Sequence, residues 1–201
     1  MSKAGNGSVR SVIMDFDDLC DGNDRLDVLL RLKDRDPGFK VTLFAIPTRM
    51  SEPTLTKYEK EREWIELGIH GWRHARHECL GWTDEETQQK ITLARCIYPH
   101  FAPIFKAPNW EICDDVYEGL KASGVAVSDH VRNIAIMPPD MPHYIYNLRL
   151  RDDIYTRMHG HIQSYNRTGL EEAYELWSSP PIGSTYHFVT EAVTARREVA
   201  V

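Results

Sequence analysis

The chain has 201 residues, 42% hydrophobic and 27% charged, with a formal net charge of −6. That suits one globular domain with a sizeable core and argues against nucleic acid or an anionic membrane as the main partner. No segment approaches the roughly 18 apolar residues of a membrane helix, and the polar start MSKAGNGS opens no secretory signal. Cys20, Cys79, Cys96 and Cys113 are scattered, with no Cys-x-x-Cys pair, which points to reduced thiols in a cytoplasmic protein and against cysteine-held zinc.

Residues 1–8 read as a flexible arm, 9–192 as a single domain and 193–201 as a tail. Val9–Met14 is a β-rich run and predicts a strand, followed at once by the polar burst DFDDLCDGND. RLDVLLRLKDR predicts a helix stopped by Pro37-Gly38, and Lys40–Ile46 a buried strand ended by Pro47. Ser51 is the expected N-cap of a helix running through KYEKEREWIEL and closing at Gly68, with LGIH as a short strand beside it. Thr83 and Glu86 form a capping-box pattern opening EETQQKITLARCIY. PIFKAP reads as a strand, DVYEGLKAS as a helix closed by Gly124, and VAVS as a strand. RNIAIM, HYIYNLRL and DIYTRMH read as further strands. A second capping box, Thr168 with Glu171, precedes EEAYELW, and STYHFVTEAV ends the fold. Strands alternating with helices give an α/β class with a largely parallel sheet, open or rolled into a barrel. In such folds functional residues gather at the C-terminal ends of strands.

Three clusters sit at such ends. Asp15, Asp17 and Asp18 crowd three carboxylates after an apolar strand; their repulsion calls for a proton or a cation, although Asp is also an ordinary turn former. The segment lacks the glycine and closing glutamate of a calcium EF-hand loop. His70 and His74 stand one helical turn apart, a spacing that suits a metal pair as well as two surface histidines. Gly71 follows His70, so this is not the His-Glu-x-x-His helix of metalloproteases; His77 is left on the surface. His159-Gly160-His161 form the third cluster, and either histidine would serve as a general acid. Two histidines and one aspartate make a three-ligand site with open positions, of the kind that acidifies water and polarises a carbonyl. Lys106 in FKAPNWE is placed to orient a carboxylate, Trp110 to wall a sugar-sized groove, and Asp129 to orient a neighbour by hydrogen bonding.

In this order the pieces resemble the polysaccharide deacetylase family, the NodB-homology group of carbohydrate esterases. The first family motif, Thr-Phe-Asp-Asp-Gly, is similar to DFDDL with Asp17 and Asp18; the second, His-Ser/Thr-x-x-His, to HGWRH with His70 and His74; the third, Arg-x-Pro-x-Gly/Trp, to KAPNW. The resemblance implies a distorted (β/α) barrel of about seven strands. It implies a divalent metal, usually Zn2+, on Asp18, His70 and His74, and Asp17 as general base. A histidine of HGH would protonate the departing amine of an N-acetylated sugar or related amide. Several positions depart from the pattern: Asp15 stands for Thr, Leu19 for Gly and Lys106 for Arg, the last losing a planar two-pronged grip on Asp17, and the aliphatics that precede the histidine of the last motif are replaced by Tyr155 and Arg157 before His159, or by Arg157 and His159 before His161. These departures leave room for a catalytically silent carbohydrate-binding member of the same fold. SVIMDFDDL also resembles the opening of haloacid-dehalogenase phosphatases, which would make Asp15 a nucleophile with magnesium bound; Leu19 breaks that motif and the histidines stay unexplained.

Overall fold

The computed structural model describes residues 11–146, 155–162 and 183–193. The expected arm, nearly all of the tail and the second capping box at Thr168 and Glu171 lie outside the described residues.

Among the described residues, eight parallel-paired strands carry the fold: β1 (Ser11–Leu19), β2 (Val41–Ala45), β3 (Ile65–His70), β4 (Ile104–Lys106), β5 (Ala126–His130), β6 (His143–Tyr146), β7 (Thr156–His161) and β8 (Thr185–His187). Their order is β6-β5-β4-β3-β2-β1-β7, with β8 added to β1 below β2, and the seven strands of that path form a nearly closed barrel. Among the described residues, the helices α1 (Leu26–Arg35), α2 (Glu52–Glu59), α3 (Asp84–Ile97) and α4 (Asp114–Ala122) lie between successive strands, and residues 189–193 are helical after β8. Among the described residues no helix is long and apolar enough to cross a membrane.

Several expectations shift. The strand expected at Val9–Met14 runs on through DFDDL, so the aspartates stand on β1 itself and not in a following loop. Helix α2 stops at Glu59, and Ile65–His70 is all strand, so Gly68 is no helix cap; its lack of a side chain makes room for the Phe44 ring, which a Cβ there would meet at 2.8 Å. Ser51 precedes α2, but its hydroxyl goes to Asp21 and Thr54. Thr83 does cap α3, accepting from the Glu86 N–H at 3.1 Å. RNIAIM forms a 3-10 turn and loop with Ile134 and Ile136 exposed, not a strand.

Because strand side chains alternate between faces, β1 sorts its residues cleanly. Val12, Met14 and Phe16 pack outward into the large cluster shared with the helices. Ile13 points inward, joining Phe44, Ile104, Ala126 and Tyr144 in an apolar plug sealed by Val189, Ala192 and Val193. Asp15 and Asp17 share that inward parity and form the next layers up. Among the described residues, β6 and β7 are not ladder neighbours. Side chains span their seam: Arg157 donates to the Ile145 carbonyl and lies over the Tyr144 ring at 4.8 Å, and the Tyr146 and His159 rings meet at 4.9 Å.

Candidate functional site

Adjacent residues of a regular strand face opposite ways, yet Asp17 and Asp18 line one cavity. The β1–β2 register slips between Phe16 and Leu19, and Asp18 takes a φ of 71°. This bulge re-aims one carboxylate, and left-handed non-glycine residues cluster at functional sites.

Asp18 meets two imidazoles. Its Oδ1 lies 3.3 Å from His70 Nε2 and 2.9 Å from His74 Nε2. His70 Nδ1 is 3.0 Å from the Lys106 carbonyl; a carbonyl only accepts, so Nδ1 carries a proton, and in the neutral imidazole Nε2 turns its lone pair toward Asp18, whereas the imidazolium donates to it. Acceptor atoms brought this close require a proton or a cation. Ligands about 2.1 Å from one tetrahedral ion lie about 3.4 Å apart, near the observed separations, and two imidazoles with one carboxylate are a zinc-type donor set. The residues therefore fit a divalent metal. Burial pushes the Asp18 carboxyl upward, but the bonds and charges of His70 and His74 outweigh it and hold the group far below the usual carboxylate range. The bond to Asp18 raises His74 in turn.

One layer deeper lies a lysine among carboxylates. Lys106 Nζ is 2.5 Å from Asp15 Oδ2, 2.8 Å from Asp17 Oδ1 and 3.1 Å from His159 Nδ1. It sits 4.6 Å from the Phe44 ring centre and 4.5 Å from that of Trp110. His159 Nδ1 also lies 2.9 Å from Asp15 Oδ2. The register explains the meeting, since Asp15 pairs with His159 and Asp17 with His161 across β1 and β7. Burial pushes Asp15 up, but Lys106 and His159 overcome it and bring the carboxyl to about 2. Lys106, pushed down by burial, is raised on balance by Asp15 and Asp17.

The cavity above these layers measures about 690 Å³, and Asp17, Asp18, His70, His74, Trp110 and His161 line it. That is room for a small ligand or one sugar unit with its substituents. His161 Nδ1 is buried and has no hydrogen-bond partner among the described residues, whereas His159 is drawn into the Lys106 layer. Burial lowers the His161 imidazole. Trp110, at φ 59°, stacks parallel on Tyr146 at 6.0 Å. Asp129 stands apart from the cavity. It faces the helices, accepting from Tyr117 Oη at 2.5 Å, the His130 N–H at 2.7 Å and Asn133 Nδ2 at 2.8 Å. Its reach to the site is indirect, because the same Asn133 amide donates to the Trp110 carbonyl. His77, half exposed, bonds Glu111 at 2.7 Å.

Glu78 escaped the sequence reading. Its carboxylate accepts from the N–H groups of Trp72, Arg73 and His74 at 2.9, 3.1 and 3.2 Å, which fixes the turn that delivers His74. Gly71, at φ 56°, makes room for it: a Cβ there would fall 1.9 Å from Glu78 Oε1. The sequence signal was the glycine directly after His70. The phosphatase reading fails on the same geometry, since Asp15 is enclosed by Lys106 and His159 and does not line the cavity.

No protein-family model and no curated protein matches the chain. Solved structures do. A family 4 acetyl xylan esterase from Clostridium thermocellum, in complex with a cobalt ion, superposes with a TM-score of 0.63 at 17% identity over 92% of this chain and 91% of its own. The chitin deacetylase of the fungal pathogen Colletotrichum lindemuthianum gives 0.58 at 14% identity, over 90% and 86%. A family 4 pseudoenzyme from Bacillus anthracis gives 0.55 at 14%, over 93% and 66%. The fold is thus the NodB-like polysaccharide deacetylase barrel of carbohydrate esterase family 4.

Proposed function

We propose that this chain is a metal-dependent hydrolase that removes the acetyl group from an N-acetylated sugar or a related amide. The observation that carries the reading is the convergence of Asp18, His70 and His74 at the mouth of the barrel, with Asp17 beside them on one cavity wall. Asp18, His70 and His74 would hold a divalent metal, zinc by their donor chemistry, which when bound acidifies water and polarises an amide carbonyl. Asp17 takes the proton of the attacking water; Lys106, in contact with it at 2.8 Å, orients the carboxylate. His161 gives a proton to the departing nitrogen, and His159, held in the Lys106 layer, positions Asp17. Trp110 packs against the sugar face. The four cysteines, all unpaired, support a reducing, cytoplasmic setting.

The pseudoenzyme of the same fold favours a second reading, a silent carbohydrate-binding chain. Acetate release from an N-acetylated chitooligosaccharide by the zinc-loaded protein separates the two. The hydrolase reading expects turnover that falls about 10³-fold in D17N and about 10²- to 10³-fold in H161A, with zinc retained in both. Zinc-loaded wild type that binds the sugar but releases no acetate supports the silent reading. A loss in H159A with none in H161A would exchange the two histidines' roles.

A further inference from the structure

The deacetylase reading leaves Asp15 without a task, although its carboxylate is as buried as any in the described chain. The geometry around Lys106 supplies one. A guanidinium in this place would grip a carboxylate with two arms of fixed geometry. An ammonium is a point charge with three protons, and here three groups surround it: Asp15 Oδ2 in hydrogen-bonded ion pairing, Asp17 Oδ1 in ion-pair contact and His159 Nδ1 at 3.1 Å. With Asp17 as its one carboxylate, the ammonium would keep the Phe44 and Trp110 rings and His159 around it but could shift among them. Asp15 removes that freedom from two residues upstream on the same strand, and it reaches His159 on β7 as well.

Asp15, Asp17 and His159 also group their donor atoms as a cation site would, all within 4.8 Å of one another. The Lys106 ammonium lies among them, so the protein's own side chain fills the place. Side-chain exposures of 1% for Lys106 and 2% for Asp15 mean that neither charge has water to fall back on. Each residue is therefore costly without the other, and the two departures from the family pattern, Asp15 for Thr and Lys106 for Arg, read as one change.

We propose that Asp15 and Lys106 form a single positioning unit, in which Asp15 clamps the lysine ammonium against Asp17 and so does the work of an arginine fork. Neither side chain touches Asp18 or lines the cavity; the Lys106 carbonyl that meets His70 is backbone and stays in place when the side chain is changed, so the pair acts on the reaction through Asp17. This inference rests on the hydrolase reading for its consequence, but its core, the dependence of Lys106 on Asp15, does not.

The test is a double-mutant cycle on the zinc-loaded protein: wild type, D15N, K106M and D15N/K106M, each with bound zinc, kcat and KM on an N-acetylated chitooligosaccharide, and urea unfolding. A shared unit predicts unchanged zinc content, KM within about twofold, kcat down about 10-fold or more in D15N and about 10²- to 10³-fold in K106M. It also predicts a double variant no slower than K106M, because Asp15 has nothing left to hold. Losses that multiply in the double variant, an unaffected D15N, or zinc lost together with kcat would overturn it. If wild type shows no turnover, the hydrolase reading fails by itself and unfolding decides the pair. A folding equilibrium restored about tenfold or more by adding D15N to K106M supports the unit, and additive losses sink it. Should K106M not fold, folding regained in the double variant supports the unit and continued failure overturns it.

Discussion

A lysine enclosed to 1% exposure keeps its charge only if opposite charge stands in contact with it. Asp15 and Asp17 supply that contact, and the debt is mutual. Asp15 sits at about 2 against an ordinary 3.8, because Lys106 and His159 outweigh its burial. A carboxyl depressed on folding contributes stability in full above its ordinary value and loses it as pH falls through the folded one. The window is therefore about pH 4 down to pH 2, and the amount is on the order of 2 kcal/mol. Urea unfolding across that window should show a shallower pH slope in D15N than in wild type; identical slopes would mean that Asp15 titrates alike in both states. Asp15 is also where residue identity misleads. In the sequence it reads as one more charge to be offset by a metal, and the compensating cation lies 91 residues away on β4, a distance no local pattern spans.

At the scale of elements, the strands were legible because apolar runs bounded by proline and glycine are a strong signal, and the site followed from strand ends. Parity within strands was less so. Asp129 ends a strand as the site residues do, but it shares the face of Val127 and so points to α4 instead of the cavity. The reach of α2 was overestimated because EKEREW has helical composition up to Trp64, while pairing with β2 claims Ile65 onward. The bulge at Asp18 and the turn held by Glu78 are backbone devices and leave little trace beyond Gly71. Glu78 gives the clearest prediction at this scale. Without its carboxylate three N–H groups lose their acceptor and His74 loses its fixed approach, so E78A should bind zinc about 10- to 100-fold more weakly, read by competition with a chromophoric chelator. Unchanged affinity would show that the turn holds its shape without it.

For the whole molecule, the barrel is a stack: an apolar plug at the bottom, the Lys106 layer above it, and the two imidazoles with Asp18 at the open end. The alternation of inward and outward residues around the parallel sheet builds all three at once, which is why residues far apart in sequence arrive at one mouth. The fold by itself does not decide activity, since a pseudoenzyme shares it; the account stands on the donors at the mouth. Metal analysis of the purified protein beside D18A and H70A measures them directly. We expect about one zinc ion bound per wild-type chain and close to none in either variant, with all three folded. Equal zinc in the three proteins would contradict the account.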